Sequence, residues 1–212
     1  MLYRAVNNSA VKTGRGRTPR SVQVLAVLCA GLLGSVVSRP VRAQSTAEEY
    51  QVKAAFLFHF AQLVEWPAGA LNTADRSINL CIFDDEPHRR ELQETIEGKP
   101  VGARVLHVRI LDQRQNIQGC NILFLSRDEG RRQAAILRSV RDLPVLTVGE
   151  TVNFLADGGM IHFHLDGDKI RFDINAAGAD ASHLKISSRL LLLATAVTPA
   201  AGTGGGKASY AY

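Results

Sequence analysis

The chain has 212 residues and carries 25 lysines and arginines against 20 aspartates and glutamates, a formal net charge of +5. Seven of the basic residues and none of the acidic ones fall within positions 1–43, so the remainder has 18 basic against 20 acidic residues and a net charge of −2. Because nucleic-acid binding normally requires a basic patch on the folded domain, this balance argues against a nucleic-acid partner.

The first 43 residues have the pattern of a secretory signal peptide. Basic residues precede an apolar run from Val22 to Val37, and Val41 and Ala43 then occupy the −3 and −1 positions of a cleavage site. The apolar run has 16 residues, whereas a membrane-spanning helix needs about 20. We therefore predict a signal peptide over 1–43 and a mature chain that begins near Gln44 and works outside the reducing cytoplasm.

The first element of the mature chain is predicted to be a helix from Glu48 to Trp66. Thr46 and Glu49 have the spacing of an N-terminal capping box, and Pro67 ends the helical pattern. The apolar residues of this segment cover more of its circumference than one stripe. Two interpretations stay open: a core helix that is enclosed on several sides, or a helix whose aromatic side chains cover a partner.

Short apolar segments then alternate with helical ones. Strands are predicted at 78–83, 104–111, 121–125 and 145–148, with helices at 89–97 and 128–141. Such alternation is typical of a largely parallel sheet that is covered on both faces.

The C-terminal part changes to a period of two. Residues 161–165 and 170–174 alternate between apolar and polar side chains on either side of a glycine turn, which predicts an antiparallel hairpin. A last helix is predicted over 181–197, and the glycine-rich tail from 199 to 212 is predicted to be disordered. The predicted fold is a three-layer α/β fold with a mostly parallel sheet, a C-terminal antiparallel hairpin and flanking helices, in one domain over 44–198.

Cys81 and Cys120 are the cysteines that remain after Cys29 is removed with the leader. An even pair in an oxidising compartment predicts a disulfide. Adjacent strands lie about 4.8 Å apart, which suits disulfide geometry, so the strands near these cysteines are expected to be neighbours. The bond is interpreted as a structural staple, and a redox-controlled switch is the alternative.

Two polar groups have residue types that bind cations. His162, His164 and Asp166 share one face of their strand and could offer three metal ligands. The favoured interpretation is the polar side of a hairpin that faces Lys169, Arg171 and Asp173, which explains the pattern without a metal. The acidic run 84–86 follows the carboxyl end of a strand, where open parallel sheets place their sites, but a solvated turn is the favoured interpretation. No metal or cofactor is predicted.

Catalysis is not indicated by any motif in the sequence. Ser126 and His183 lack a recognisable nucleophile elbow or orienting partner. Gly206 and Lys207 lack the remaining residues of a phosphate-binding loop. No catalytic residue is therefore predicted.

Several segments together resemble the YfiR-like family of periplasmic proteins. They cover nearly all of the mature chain in order, namely Tyr50–Pro67, Cys81, Cys120, Gly158–Ile161, Ile170–Asn175 and Leu184–Leu191. The resemblance implies a compact α/β domain, often dimeric, that represses an inner-membrane diguanylate cyclase from the periplasmic side. It also implies an outer-membrane lipoprotein that sequesters the repressor. The best-known relative has a second disulfide near the hairpin, where this chain has Leu155 and His162, so that bridge is not expected.

The residues and the resemblance both favour a regulator that acts by binding a partner. Phe56, Phe60 and Trp66 are expected to form the contact surface, with Lys185 and Arg189 as polar contributors and with a homodimer as the assembly. The alternative is a periplasmic small-molecule sensor or solute-binding module, because α/β sheets offer a crevice at the carboxyl ends of their strands.

Overall fold

The structure, a computed structural model, describes residues 41–71, 74, 76–83, 87–112 and 117–199, with side chains from residue 47 onward. The predicted signal peptide lies outside these residues except for 41–43, and the predicted tail lies outside them except for Pro199. The acidic run 84–86 also lies outside them. None of the helices in the described ranges is long and apolar enough to cross a membrane.

An eight-stranded sheet forms the centre of the fold. Its strands are β2 (Ser77–Phe83), β3 (Pro100–Val101), β4 (Arg104–Leu111), β5 (Ile122–Leu125), β6 (Leu146–Gly149), β7 (Ile161–Asp166), β8 (Lys169–Asn175) and β10 (Val197–Thr198). Their spatial order is β10-β8-β7-β6-β5-β2-β4-β3. The neighbours from β4 to β7 run parallel, and β7 and β8 form the antiparallel hairpin. A separate two-stranded sheet joins β1 (Val64–Glu65) to β9 (Lys185–Ile186).

Helices cover both faces of this sheet. They are α1 (Val41–Leu63), α2 (Arg89–Ile96), α3 (Gln133–Val140), α4 (Ala176–Ala181) and α5 (Ser188–Leu191), with a 3-10 helix at Arg127–Arg131. One buried cluster joins α1, α2 and α5 to the sheet and includes Leu57, Leu92 and Leu190. The second cluster places Leu137 and Val140 of α3 against the opposite face. The three-layer α/β fold with a mostly parallel sheet is therefore confirmed.

The first helix differs from its prediction at both ends. It begins at Val41, directly after Pro40, rather than at the expected cap Thr46. It ends at Leu63 because the next two residues pair with β9 as strand β1, and the Leu63 carbonyl accepts a hydrogen bond from the Ser187 N–H. The helix therefore ends before Pro67 is reached, so strand pairing rather than the proline terminates it.

The continuous helix predicted over 181–197 is wrong. His183 adopts a positive φ of 59°, a left-handed conformation that interrupts a right-handed helix. The short helix α4 ends at Ala181, where the predicted helix begins, and only Ser188–Leu191 forms a helix within the predicted range. Each of these helices has a side-chain cap: Asn175 accepts from the Gly178 N–H, and Ser187 accepts from the Leu190 N–H. The backbone between them is used by β9, so tertiary pairing overrides the apolar periodicity.

The disulfide joins Cys81 to Cys120, with a Cα–Cα distance of 5.7 Å. Strands β2 and β5 are neighbours, as expected, with Leu80 opposite Ile122. Both cysteines are buried among apolar side chains on the α3 face of the sheet. The bond therefore ties the centre of the sheet to the segment that leads into β5.

Candidate functional site

The aromatic residues of α1 differ in how deeply they are buried. Phe60 has 0% of its surface exposed, and its ring packs 5.6 Å from Phe163 and 5.1 Å from Phe172 of the hairpin. Its expected place on a contact surface is therefore wrong, because the hairpin encloses it. Phe56 is partly buried against the same two rings. The core interpretation thus holds for the inner face of this helix.

A surface cleft of about 500 Å³ lies next to the end of α1. Its walls come from the strand-and-turn segment after α1 and from the segment that links α4 to β9. The lining residues are Glu65, Trp66, Pro67, Ala68, Asp180, His183, Leu184 and Lys185. The cleft therefore brings together Trp66 and Lys185, which the sequence analysis had placed in one surface although they are far apart along the chain.

Trp66 is held in place at the edge of this cleft. Its indole Nε1–H donates a hydrogen bond to the backbone carbonyl of Asn121 at 3.3 Å, while its ring packs against the core. Asn121 is itself fixed, since its side chain accepts from the Asn79 N–H at 2.8 Å and donates to the Ala70 carbonyl at 3.3 Å. Asn121 directly follows Cys120, so the indole is anchored beside the disulfide.

The charged residues of the cleft have a defined arrangement. Lys185 lies opposite Glu65 in the antiparallel pair of β1 and β9, and its side chain is exposed. Asp180 adds a second carboxylate to the lining. Arg189 is exposed in α5 but does not line the cleft. The cleft thus presents an aromatic ring next to charges of both signs, which suits a protein surface better than a simple anion or cation.

A buried ion network lies at the carboxyl ends of β5 and β6. Lys53 of α1 is 2% exposed, and its Nζ lies 2.5 Å from Glu49 Oε1 and 2.6 Å from Glu150 Oε1. The Tyr50 hydroxyl donates to Glu150 Oε2 at 3.0 Å, and Arg127 Nε lies 3.9 Å from the same oxygen. Buried charges are tolerated only when they are paired in this way. The network therefore fixes α1 to the edge where the parallel strands end.

The sequence analysis assigned no role to Lys53, a charged residue within an otherwise apolar helix. The available signal was the spacing of Glu49 and Lys53, which places opposite charges one helical turn apart. The sequence could not show that Glu150, which follows β6, lies against Lys53 in the fold. The carboxyl edge, where a ligand crevice was the alternative expectation, holds these buried side chains, with Ser126 also buried there.

The group of possible metal ligands on the polar side of the hairpin differs from its prediction by one residue. Asp166, expected to join the two histidines, lies at the hairpin end with 73% of its side chain exposed. Asp173 takes its place, because the register puts His162 opposite Asp173. Burial lowers the pKa of His162 below its ordinary value of 6.5, although the Asp173 carboxylate acts in the opposite direction.

The fold and the site define a disulfide-bridged α/β protein with an aromatic surface cleft. A family model described as YfiR/HmsC-like matches residues 50–195, and the chain belongs to that family. Members of this family are periplasmic and regulatory rather than catalytic, and the family suggests a regulator of cyclic-di-GMP signalling. Both walls of the cleft fall within the matched residues.

The curated proteins gave no significant match. Among the solved structures, a conserved domain protein from Vibrio cholerae is similar with a TM-score of 0.49 and 9% sequence identity. The match covers 70% of this chain and 60% of the other, so the chain spans about 60% of the length of that protein.

Proposed function

We propose that this protein is a periplasmic repressor that binds an inner-membrane diguanylate cyclase and lowers cyclic-di-GMP. The observation that carries the proposal is the family match over residues 50–195. The signal-peptide pattern at 1–43 supports export, and the disulfide suits an oxidising compartment. Biofilm formation would fall with the messenger, and the protein would act without catalysing a reaction.

The cleft around Trp66 is the proposed contact with the periplasmic domain of the cyclase. Tryptophan is enriched among the residues that carry most of the energy of protein interfaces. The hydrogen bond from Trp66 to Asn121 orders the indole before binding, so less side-chain entropy is lost on association. Lys185 and Arg189 would contribute polar contacts at the cleft and beside it.

Repression by such a contact requires a difference between two states of the cyclase. A protein without catalytic activity shifts an equilibrium only by binding one state more tightly than the other. An outer-membrane lipoprotein that competes for the repressor would release the cyclase in the same way. We also propose a homodimer as the assembled form.

Replacing Trp66 with alanine is expected to weaken binding to the cyclase domain by at least about tenfold. Loss of a central interface residue costs about 2 kcal/mol or more, and about 1.4 kcal/mol corresponds to a factor of ten. Lys185→Gln is expected to weaken binding by a smaller factor. The measurement is calorimetric titration of the mature chain with the purified periplasmic domain.

The matched controls are Leu165→Ala and Lys169→Gln, an exposed apolar residue and an exposed lysine on the hairpin. Both should bind like the wild type. Thermal melting of each variant separates lost contact from lost fold. Wild-type affinity in a folded Trp66→Ala protein would exclude the cleft as the contact.

The alternative function is a small-molecule sensor or solute-binding module. The observation that favours it is the cleft volume of about 500 Å³, which falls within the usual range of ligand pockets. A sensor of this kind would leave cyclic-di-GMP unchanged in the absence of its ligand, which distinguishes it from a repressor.

A further inference from the structure

Three side chains with metal-binding atoms converge on the polar face of the hairpin. The Asp173 Oδ2 atom lies 3.4 Å from His164 Nδ1 and 3.9 Å from His162 Nδ1. One ligand atom from each residue lies within 4.8 Å of the others. The histidines alternate along β7 while Asp173 faces His162 from β8, so the hairpin register itself assembles the group.

We propose that His162, His164 and Asp173 bind a divalent transition-metal cation. Imidazole nitrogen and carboxylate oxygen are ligands that zinc and its neighbours accept. Zinc bonds of about 2.0–2.2 Å in a tetrahedron place neighbouring ligand atoms about 3.4 Å apart. The distances of 3.4 and 3.9 Å from the Asp173 oxygen to the two imidazole nitrogens are close to that value.

His164 gives a second reason to place a cation here. Its Nδ1 atom is buried and has no hydrogen-bond partner among the described residues, although the Asp173 carboxylate lies beside it. Buried polar atoms in folded proteins are nearly always satisfied. A cation between this nitrogen and the carboxylate would satisfy both groups at once.

The surroundings of His162 fit the role of a ligand. The backbone of Glu150 lies within reach of its ring, and Asp173 faces the ring from β8. Metal-binding histidines characteristically donate their other ring N–H to a backbone carbonyl or carboxylate, which fixes the ring and its tautomer. Glu150, directly after β6, thus lies where it can orient the imidazole.

Access and charge at the group also fit. The side chains of His162 and His164 are 13% and 27% exposed, so an ion can enter while little water surrounds it. Arg171, which lies opposite His164, adds a positive charge nearby, but its Nε lies 3.9 Å from Asp166 at the hairpin end. Three protein ligands leave a coordination position for water or for a group from a partner.

The test is a calorimetric titration of the untagged, chelator-treated mature chain with zinc chloride. We expect saturable binding of one zinc ion per chain and a higher melting temperature with the metal. His164→Ala and Asp173→Asn should each weaken the affinity by at least about tenfold, the loss that even an outer contact of a metal site can cause. Near-ultraviolet circular dichroism checks that each variant is folded.

The matched controls are His59→Ala, an exposed histidine of α1, and Asp166→Asn at the hairpin end. Both are expected to bind zinc like the wild type. The proposal is overturned if the wild type shows no saturable binding up to millimolar zinc, or if the folded Asp173→Asn protein keeps wild-type affinity. This result is independent of cyclase binding, so either proposal can fail without the other.

Discussion

Replacing Lys53 with methionine is expected to destabilise the protein by about 3–5 kcal/mol, the cost of leaving a buried charge without its partner. Methionine fills a similar volume, so the loss comes from the charge. The carboxylate of Glu150, with 1% of its side chain exposed, would lose the ammonium that lies 2.6 Å away. The measurement is the free energy of unfolding from urea denaturation followed by circular dichroism.

Two further variants isolate the ion pair. Lys169→Met removes an exposed lysine from the hairpin and should change stability by less than about 0.5 kcal/mol, as surface substitutions usually do. Lys53→Met combined with Glu150→Gln should be less destabilised than the sum of the single variants, because the second change removes the carboxylate that has lost its closest cation. Lys53→Met at wild-type stability would show that the network does not hold α1 to the sheet.

Removing the disulfide with Cys81→Ser and Cys120→Ser is expected to destabilise the protein by about 2–5 kcal/mol, as for native bridges in small secreted domains. The bond closes a segment with a sequence separation of 39 residues, which restricts the unfolded chain. Urea denaturation measures the effect, and mass spectrometry of non-reduced peptides from the periplasmic protein should show the linked pair.

Trp66, the only tryptophan of the chain, provides an internal probe for the same experiment. Its indole is bonded to the carbonyl of Asn121, the residue after Cys120. Reductant should alter the unfolding midpoint of the wild type but not that of the double serine variant. Two free, alkylatable thiols in protein taken from the periplasm would contradict the bond. A fluorescence change on reduction without unfolding would favour the redox-switch alternative over a staple.

The central sheet could be predicted from the sequence because its strands carry their own signals. The segments that became β2, β4 and β5 are short, apolar and bounded by polar turns, and the hairpin has a period of two. The neighbouring position of β2 and β5 also followed, since two cysteines near those strands can bond only when the strands are close.

The C-terminal segment could not be predicted because its local pattern conflicts with long-range pairing. Residues from Leu184 to Ala194 have enough apolar side chains for one helix, yet Lys185 and Ile186 pair with β1. As a result Leu192 and Leu193 are largely exposed, at 86% and 63%. The periodicity of a segment shows where its apolar residues lie, but it does not show which strand will pair with the segment.

The candidate site was accessible to sequence reasoning only in part. Trp66 and Lys185, which the sequence analysis assigned to one contact surface, both line the cleft. Phe60 was assigned to that surface as well, because its burial depends on Phe163 and Phe172, which are distant in sequence. Asp173, and not Asp166, lies beside the histidines because of the hairpin register. The pattern of one strand alone does not reveal that register. The pairing of Lys53 with Glu150 could not be predicted either, because the two residues are far apart along the chain.

The most direct test of repression is the cellular level of cyclic-di-GMP in a clean deletion of the gene, measured with and without the gene for the membrane cyclase. The account predicts that deletion raises the messenger and surface attachment when the cyclase is present, and changes neither when it is absent. Restoring the gene should return the messenger to the wild-type level. An unchanged level of cyclic-di-GMP in both backgrounds would contradict repression.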